Sequence, residues 1–304
     1  MQIISLVGPT SSGKTDIAIE LAKALDGEII SADSRQVYCD FDIGTAKPSL
    51  EERRGVSHHL IDVESPFVTY SVSDFVEEAE TAIEDILKRG KTPIIAGGTG
   101  FYIKALLEGL DIPKVAPDDD FRAEMRDFAA KYGNDLLYQK LVKIDSVAAQ
   151  KLHPNDVFRV IRALEINKHT GDLPSERQVL KESKYQGIYF GLNAQDRAFL
   201  YDKINSRTDV MLEKGLVEEV ESLISKYGRN LKLLDTLGYK EICEYLDGNI
   251  TLDEAKAKIQ KNTRNYAKRQ LTWFGANPKI KWYHIDTMTK EEIVQDIIKC
   301  LSMM

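Results

Sequence analysis

The chain has 304 residues, of which 43% are hydrophobic and 29% are charged, and its formal net charge is −7. These values are typical of a globular protein with a substantial core, and no apolar run approaches the roughly 20 residues that cross a membrane. The three cysteines form no Cys-x-x-Cys pair, which argues against a zinc finger and a disulfide framework. No signal peptide precedes the first strand, so we expect a cytoplasmic protein.

The first predicted element is an apolar strand over residues 3–7, and a helical pattern begins at Asp16. Between them lies Gly8-Pro9-Thr10-Ser11-Ser12-Gly13-Lys14-Thr15, a G-x-x-x-x-G-K-[ST] phosphate loop in its strand–loop–helix context. Its glycines allow backbone N–H groups to point at phosphate oxygens, and the helix N-terminus adds positive potential. Lys14 supplies a cation, and Thr15 supplies a hydroxyl suited to Mg²⁺. The loop predicts a phosphate site without identifying the ligand.

A second strand is predicted over residues 27–32 and ends in Asp33-Ser34-Arg35-Gln36. The carboxyl ends of parallel strands border the ligand crevice, so we expect Asp33 on the same side of the sheet as the phosphate loop. Further on, His58 and His59 would point to opposite faces of a strand, and no Cys or His lies at ligand spacing from them. We therefore predict no metal site at this pair.

The next elements are a helix over residues 71–89 and a short strand over residues 92–96, which ends in Gly97-Gly98-Thr99-Gly100. Glycines at a strand end let the backbone and the Thr99 hydroxyl approach a ligand closely. The usual NTPase ends a comparable strand in an acid that helps to hold Mg²⁺, and that acid is absent here. Hydrolysis is therefore disfavoured, whereas a small-molecule kinase stays open because Asp33 is an alternative acid.

The alternation of strand and helix patterns ends at Pro113, Pro117 and the acidic run Asp118-Asp119-Asp120. Helical patterns cover residues 121–132, 135–143 and 157–169, and no strand signal returns before residues 187–192. We predict an α/β fold, a P-loop NTPase-like parallel sheet flanked by helices, formed by residues 1–112 and 186–304. Residues 113–185 form an all-helical insertion. Arg159 and Arg162 lie one turn apart on its last helix, where solvation and function are both open interpretations.

A helix is predicted over residues 207–225, with Val210 and Met211 in its core stripe, and Arg207 either contacts phosphate or pairs with an acid. A last strand is predicted over residues 280–285. Residues 255–281 contain no acid and eight basic residues: Lys256, Lys258, Lys261, Arg264, Lys268, Arg269, Lys279 and Lys281. The net charge alone argues against a nucleic-acid partner, but this distribution favours a surface that faces a polyanion.

Several motifs together resemble the bacterial tRNA dimethylallyltransferase (tRNA isopentenyltransferase) family, in the same order and across essentially the whole chain. They occupy residues 8–15, 31–38, 42–48, 58–62, 97–102, 153–156, 159–165, 237–240 and 267–273. The chain departs from the family pattern at Ser11 and at Cys39-Asp40-Phe41, where we expect variation to be tolerated. It also lacks the C-terminal zinc finger of the longer eukaryotic relatives.

The resemblance implies transfer of a dimethylallyl group from dimethylallyl diphosphate to the exocyclic amine of the adenosine 3′ of the anticodon. It makes Asp33 the base, places Thr99 at the amine or the bridging oxygen, and assigns the departing diphosphate to the phosphate loop, Arg207 and Mg²⁺ on Thr15. The adenine must leave the anticodon stack to react. The implied tRNA contacts are Asp33, Ser34, Arg35, Gln36, Thr99, Arg122, Phe158, Arg159, Val160, Ile161 and Arg162.

Other functions remain alternatives to this one. An adenylate prenyl transferase would use the same donor, although a mononucleotide acceptor needs neither a helical insertion nor a basic helix. A P-loop kinase and an RNA-binding protein with a vestigial site are further candidates. No heptad pattern requires a dimer, so the expected state is a monomer.

Overall fold

The computed structural model describes residues 1–113, 115–177 and 183–303. The chain divides into a core unit, Met1–Leu107 with Tyr185–Met304, and a helical unit, Glu108–Lys184. The strands are β1 Gln2–Val7, β2 Gly27–Ser31, β3 His58–His59, β4 Thr92–Gly97, β5 Gln186–Asn193 and β6 Lys281–His284. The helices are α1 Lys14–Ala24, α2 Val72–Lys88, α3 Gly100–Glu108, α4 Asp119–Tyr132, α5 Asn134–Ile144, α6 Ser146–Gln150, α7 Val157–Thr170, α8 Pro174–Arg177, α9 Arg197–Glu213, α10 Leu216–Tyr227, α11 Tyr239–Leu246, α12 Leu252–Gly275 and α13 Lys290–Ser302.

The core unit is built on one parallel sheet, whose strands lie in the order β3-β2-β4-β1-β5-β6 in the described part of the chain. Two apolar clusters pack against it, one around Ile30, Phe75 and Ile95 and the other around Leu6, Ile94 and Phe190. Both faces are covered, which is why the central strands are nearly continuous apolar runs rather than alternating ones. The predicted α/β fold is confirmed.

Three strands end at the same edge of this sheet and deliver the segments that the sequence singles out. The phosphate loop follows β1, Asp33 follows β2, and the glycine turn follows β4. Thr99 N donates to Ala32 O at 3.1 Å, so the last two segments are joined directly. A Cβ on Gly97 would lie 2.2 Å from Ala32 O, which explains the glycine at this close approach.

The prediction of one helix over residues 207–225 is wrong. Two helices, α9 and α10, meet at Gly215, whose φ of 96° lies in the left-handed region that ends helices. The apolar periodicity continues through the break, so it concealed the glycine signal. Val210 is also 45% exposed and is not a core residue.

The helical unit has a core of its own, centred on Met125, Leu137, Leu141, Val160 and Leu164. Its first helix begins in the acidic run, because Asp118 caps α4 by accepting a hydrogen bond from Phe121 N at 2.9 Å. The short helices α6 and α8 were not predicted, since neither is long enough to show a period. Among the described residues, no helix has the length and apolar character needed to cross a membrane.

Candidate active site

The phosphate loop wraps around the N-terminus of α1. Gly13 is the N-cap with a φ of 78°, and no side chain caps this end of the helix. The first N–H groups of α1 are thus left for a ligand. Ser11 Oγ and Ser12 Oγ are buried and have no hydrogen-bond partner within the described residues. Buried polar atoms are nearly always paired, so these two hydroxyls fit a loop shaped to receive anionic oxygens.

Two cations face this loop. Lys14 Nζ donates to Pro9 O at 2.6 Å, and Arg207 Nη1 donates to Thr10 Oγ1 at 3.1 Å. Neither side chain forms an ion pair with a carboxylate in the described part of the chain, so the structure does not show the acid pairing that the sequence left open for Arg207. Burial and then the charge of Arg207 lower the pKa of Lys14 to about 7, against the opposing effect of Asp33. Burial also lowers the pKa of Arg207.

Asp33 lies in a tight turn that leaves one of its carboxylate oxygens free. Oδ1 accepts hydrogen bonds from Arg35 N at 2.9 Å and Gln36 N at 3.4 Å. Oδ2 accepts none among the described residues. Thr99 Oγ1 accepts from Ser34 N at 3.1 Å, which leaves the Thr99 hydroxyl proton available for donation. The turn thus presents an acceptor at Asp33 and a donor at Thr99.

A cavity of about 1260 Å³ brings most of these groups together. Its lining includes Thr10, Ser11, Ser12, Gly13, Lys14, Thr15, Asp33, Gln36, Gly97, Gly98 and Arg207. Gly8 and Pro9 are buried and outside this lining, as is the half-buried Thr99. The cavity is large enough for a ligand bigger than a diphosphate, because its volume exceeds the roughly 300–1,000 Å³ of common small-molecule sites.

Sequence reasoning missed part of the lining. One face of α9 contributes Phe199, Lys203, Ser206 and Val210 beside Arg207, Lys214 follows directly after this helix, and α12 contributes Tyr266 and Gln270. The spacing of three to four residues along α9 is the signal that would have found the first group. It was missed because the apolar stripe was assigned only from residue 207 onward, whereas α9 begins at Arg197.

The motif over residues 42–48 forms a wall of the same cavity. Glu219 fastens this loop by accepting hydrogen bonds from Ile43 N at 2.6 Å, Gly44 N at 3.1 Å and Tyr239 Oη at 2.7 Å. The loop in turn offers Thr45 O to Arg207 Nη2 at 3.5 Å. The motif around Leu237-Gly238-Tyr239-Lys240 therefore supports this wall through the buried Tyr239.

The other predicted tRNA-contacting residues lie in the helical unit, and they differ in exposure. Phe158 is 72% exposed and Arg159 is exposed, whereas Val160 and Ile161 are buried in the core of the unit. Arg122 Nε donates to Glu165 Oε1 at 2.8 Å, and Arg162 pairs with the same fully buried carboxylate. Burial favours a raised pKa for Glu165, but hydrogen bonds from Arg122, Asp118 N and Arg162 prevail and lower it.

Fewer basic residues of the segment 255–281 are free of acid partners than the sequence count indicates. Lys256 pairs with Asp209 and Lys258 with Glu244, each at 2.7 Å, so neighbouring helices supply acids that the segment itself lacks. Lys281 pairs with Asp296 at 2.6 Å. Arg264 donates to Asn205 Oδ1 at 2.6 Å. The exposed Lys261, Lys268, Arg269 and Lys279 remain without an ion pair in the described residues, and we call the first three, which lie on α12, the basic strip.

Comparison with known proteins identifies the family. Residues 36–277 match the family model described as IPP transferase. The chain belongs to the IPP transferase family. A relative from Thermoanaerobacter sp. (strain X514), named tRNA dimethylallyltransferase, is 46% identical over 99% of this chain and 98% of its own length. A relative of the same name from Carboxydothermus hydrogenoformans is 48% identical over 98% of this chain and 96% of its own.

Solved structures of IPP transferase relatives show the same fold. The tRNA isopentenylpyrophosphate transferase from Bacillus halodurans aligns with a TM-score of 0.73 and 42% identity over 99% of this chain and 95% of its own. A eukaryotic dimethylallyltransferase acting on tRNA aligns with a TM-score of 0.79 and 30% identity, over 98% of this chain and 80% of its own. Membership of the IPP transferase family therefore extends over both units.

Proposed function

We propose that this protein transfers the dimethylallyl group of dimethylallyl diphosphate to N6 of the adenosine that follows the anticodon in tRNA. The single observation that carries the proposal is the juxtaposition of two cations without acid partners, Lys14 and Arg207, and the free carboxylate oxygen of Asp33 in one cavity. Full-length relatives named tRNA dimethylallyltransferase support the assignment.

The phosphate loop binds the diphosphate of the donor. The free N–H groups at the start of α1 and the unpaired hydroxyls of Ser11 and Ser12 hydrogen-bond its oxygens. Lys14 and Arg207 neutralise its charge, and their stabilisation grows as the bond between carbon and the bridging oxygen breaks. Positive charge at the allylic carbon is delocalised, so a good leaving group suffices to start the reaction.

Mg²⁺ fits this site through the chemistry of its donors. Thr15 places an exposed hydroxyl at the start of α1, and the described residues contain no group of three or more His, Cys, Asp or Glu side chains that would hold a metal ion. The ion would therefore be held by Thr15 together with phosphate oxygens, the hard ligands that Mg²⁺ prefers. When bound, Mg²⁺ adds positive charge beside the departing diphosphate.

Asp33 and Thr99 act on the acceptor. An aromatic amine is a weak nucleophile because its lone pair is delocalised into the ring, so it needs a base to take its proton. Asp33 Oδ2 has no competing hydrogen bond and takes that proton as the N–C bond forms. Thr99 donates a hydrogen bond from its hydroxyl to the bridging oxygen or orients the amine, and it keeps its proton. The products are N6-dimethylallyladenosine in RNA and diphosphate.

The tRNA contacts divide between the two units of the chain. The exposed Phe158 offers an aromatic face for a base splayed out of the anticodon loop, and Arg159 beside it contacts phosphate. Arg122 and Arg162 are oriented by Glu165, and the basic strip supplies affinity for the backbone. We propose that residues 108–184 hold the anticodon stem-loop. We also propose that the protein is a monomer that works in the cytoplasm.

The alternatives of an adenylate prenyl transferase and a kinase are less well supported. The relatives that match the full length of the chain are named for tRNA. Strand β4 also ends in Gly97 rather than in the acid that a typical NTPase uses to hold Mg²⁺.

Nucleoside mass spectrometry tests the proposal. Anticodon stem-loop RNA is incubated with the protein, Mg²⁺ and dimethylallyl diphosphate, and then digested to nucleosides. We expect adenosine to gain one dimethylallyl group, and we expect no gain when adenosine monophosphate replaces the RNA. A gain on the mononucleotide alone would favour the adenylate enzyme, and no gain on either would overturn the proposal.

A further inference from the structure

One side chain on α12 joins the phosphate loop to the glycine turn after β4. Gln270 Oε1 accepts a hydrogen bond from Thr10 N at 2.8 Å. Gln270 Nε2 donates to Gly98 O at 3.0 Å. The residue is 6% exposed, and 260 positions of sequence separate it from Thr10. A single primary amide offers both a donor and an acceptor, so it can satisfy one backbone group from each segment.

The position of this amide follows from where the sheet stops. Strands β1 and β4 pair as far as Val7 and Gly97. Beyond this pair the two strands diverge into the phosphate loop and the glycine turn, and the backbone groups of these segments no longer pair with each other as they do in the sheet. Gln270 links the two segments just past the last strand pair, because its side-chain amide hydrogen-bonds to the backbone of both.

The glycine turn is shaped to admit this contact. A Cβ on Gly98 would lie 2.2 Å from Gln270 Nε2, and a Cβ on Gly100 would lie 2.1 Å from the ring of Trp273. Gln270 and Trp273 are one turn apart on α12, so both glycines allow the same helix to dock. The motif over residues 267–273 therefore has a use beyond its positive charges.

Each end of the amide leads to a reacting group. On the side of the leaving group, Thr10 also accepts the hydrogen bond from Arg207 Nη1. On the side of the acceptor, Gly98 precedes Thr99, whose Oγ1 accepts from Ser34 N next to Asp33. Gln270 is thus connected on one side to the phosphate loop and on the other side to the turn that holds Asp33.

We propose that Gln270 is a positioning residue that fixes the distance between the bound diphosphate and Asp33. This inference rests on the proposed function, because the distance matters only if one group departs while the other accepts a proton. Displacements of about 1 Å in such an arrangement cost on the order of a hundredfold in rate. Gln270 lines the cavity, but both ends of its amide are bonded to backbone groups of the protein, so we assign it a role through Thr10 and Gly98.

The test uses the full chain with the Gln270→Met and Gln270→Glu substitutions. Methionine keeps the length and volume of the side chain but loses both hydrogen bonds, and glutamate keeps only the acceptor for Thr10 N. We expect kcat for the anticodon stem-loop to fall about tenfold or more in each variant, with KM for the RNA within about twofold of the wild type. A fall in the folded fraction alone would lower active-site concentration rather than kcat per active site.

The matched control is Asn262→Ala. Asn262 also lies on α12 and makes one amide hydrogen bond, to Glu241 Oε1 at 2.7 Å, but it does not line the cavity. We expect it to change the melting temperature without changing kcat per folded molecule. If Gln270→Met and Gln270→Glu behave in the same way as this control, the positioning role is wrong.

Titration with inorganic diphosphate and Mg²⁺ separates this inference from the proposed function. We expect Gln270→Met to bind diphosphate about three- to tenfold more weakly, because Thr10 N loses its hydrogen bond to Gln270 and the phosphate loop is then held less firmly. This result does not depend on RNA. A wild type that fails to prenylate RNA overturns the proposed function, whereas equal diphosphate affinity of folded wild type and Gln270→Met overturns the positioning role.

Discussion

The two units of this protein use arginine in opposite ways. In the core unit, Arg207 and Lys14 face a cavity, and within the described residues their hydrogen bonds go to neutral groups, Thr10, Thr45 and Pro9. In the helical unit, Arg122 and Arg162 share the carboxylate of Glu165, which is fully buried. The first arrangement leaves the positive charge without an acid partner, and the second offsets part of it with one carboxylate within the fold.

This difference separates a binding site from a structural cluster. Partly buried cations without an acid partner cost folding energy, so we take their presence as a sign that a ligand anion completes the electrostatics there. Arginines that share a buried acid are held in fixed geometry, and they still present guanidinium edges to solvent. We therefore expect substitutions in the core unit to affect chemistry and substitutions in the helical unit to affect stability.

The largest effect on chemistry should follow from Asp33→Asn. The amide cannot take a proton from the acceptor amine, so we expect kcat to fall by roughly 10²–10⁴. Affinity for inorganic diphosphate should change by less than about threefold, since the proposed function assigns Asp33 to the acceptor amine and not to the phosphates. Single-turnover kinetics and calorimetry measure the two quantities, and a large loss of diphosphate affinity with retained kcat would reverse the assigned role.

Arg207→Gln should separate activity from stability. Removing a cation that stabilises the departing charge lowers kcat by roughly 10²–10³. No carboxylate loses its partner, so the melting temperature of the ligand-free protein should stay the same or rise. A melting temperature that falls steeply would show that Arg207 has a structural role instead.

Arg122→Gln should give the converse result. It removes two hydrogen bonds from the buried Glu165, and such a broken pair destabilises by about 3 kcal/mol. Hydrogen exchange of α4 and α7 is the suitable measurement, because both tryptophans, Trp273 and Trp282, lie in the core unit. Unchanged exchange in these helices would place Arg122 among residues that serve RNA binding alone.

The pKa of Lys14 predicts proton uptake on binding. Burial and the charge of Arg207 lower the pKa of Lys14 to about 7, and a bound diphosphate favours the charged form. We expect diphosphate binding above pH 7 to take up a proton at Lys14, so its affinity declines as the pH rises. Calorimetry in buffers of different ionisation enthalpy measures this uptake. Lys14→Arg is the control, because a guanidinium stays protonated; equal uptake in both proteins would contradict the prediction.

The smallest expected effect concerns the basic strip. Neutralising Lys261 and Lys268 together should reduce the slope of log affinity for RNA against log salt by about 1 to 2. The matched control is Lys256→Gln with Lys258→Gln, since these two lysines already pair with acids. The same slope in both double variants would show that the strip does not face the RNA backbone.

Local signals explain how much of this molecule was predictable. The phosphate loop follows from eight consecutive residues, and the strand-end rule led to Asp33 and Thr99 without knowledge of the structure. The roles of Glu219 and Gln270 were not predictable, because each binds backbone groups more than 170 positions away. Charge counting along residues 255–281 failed for the same reason, since Asp209 and Glu244 come from other helices.

Calorimetric titration of Mg²⁺-diphosphate into wild type, Arg207→Gln and Arg122→Gln tests most directly whether uncompensated cations define the donor site. We predict one diphosphate bound per wild-type chain, affinity reduced at least about tenfold in Arg207→Gln, and wild-type affinity in folded Arg122→Gln. Equal losses in both variants, or no binding to the wild type, would contradict the assignment of the phosphate loop to a departing diphosphate.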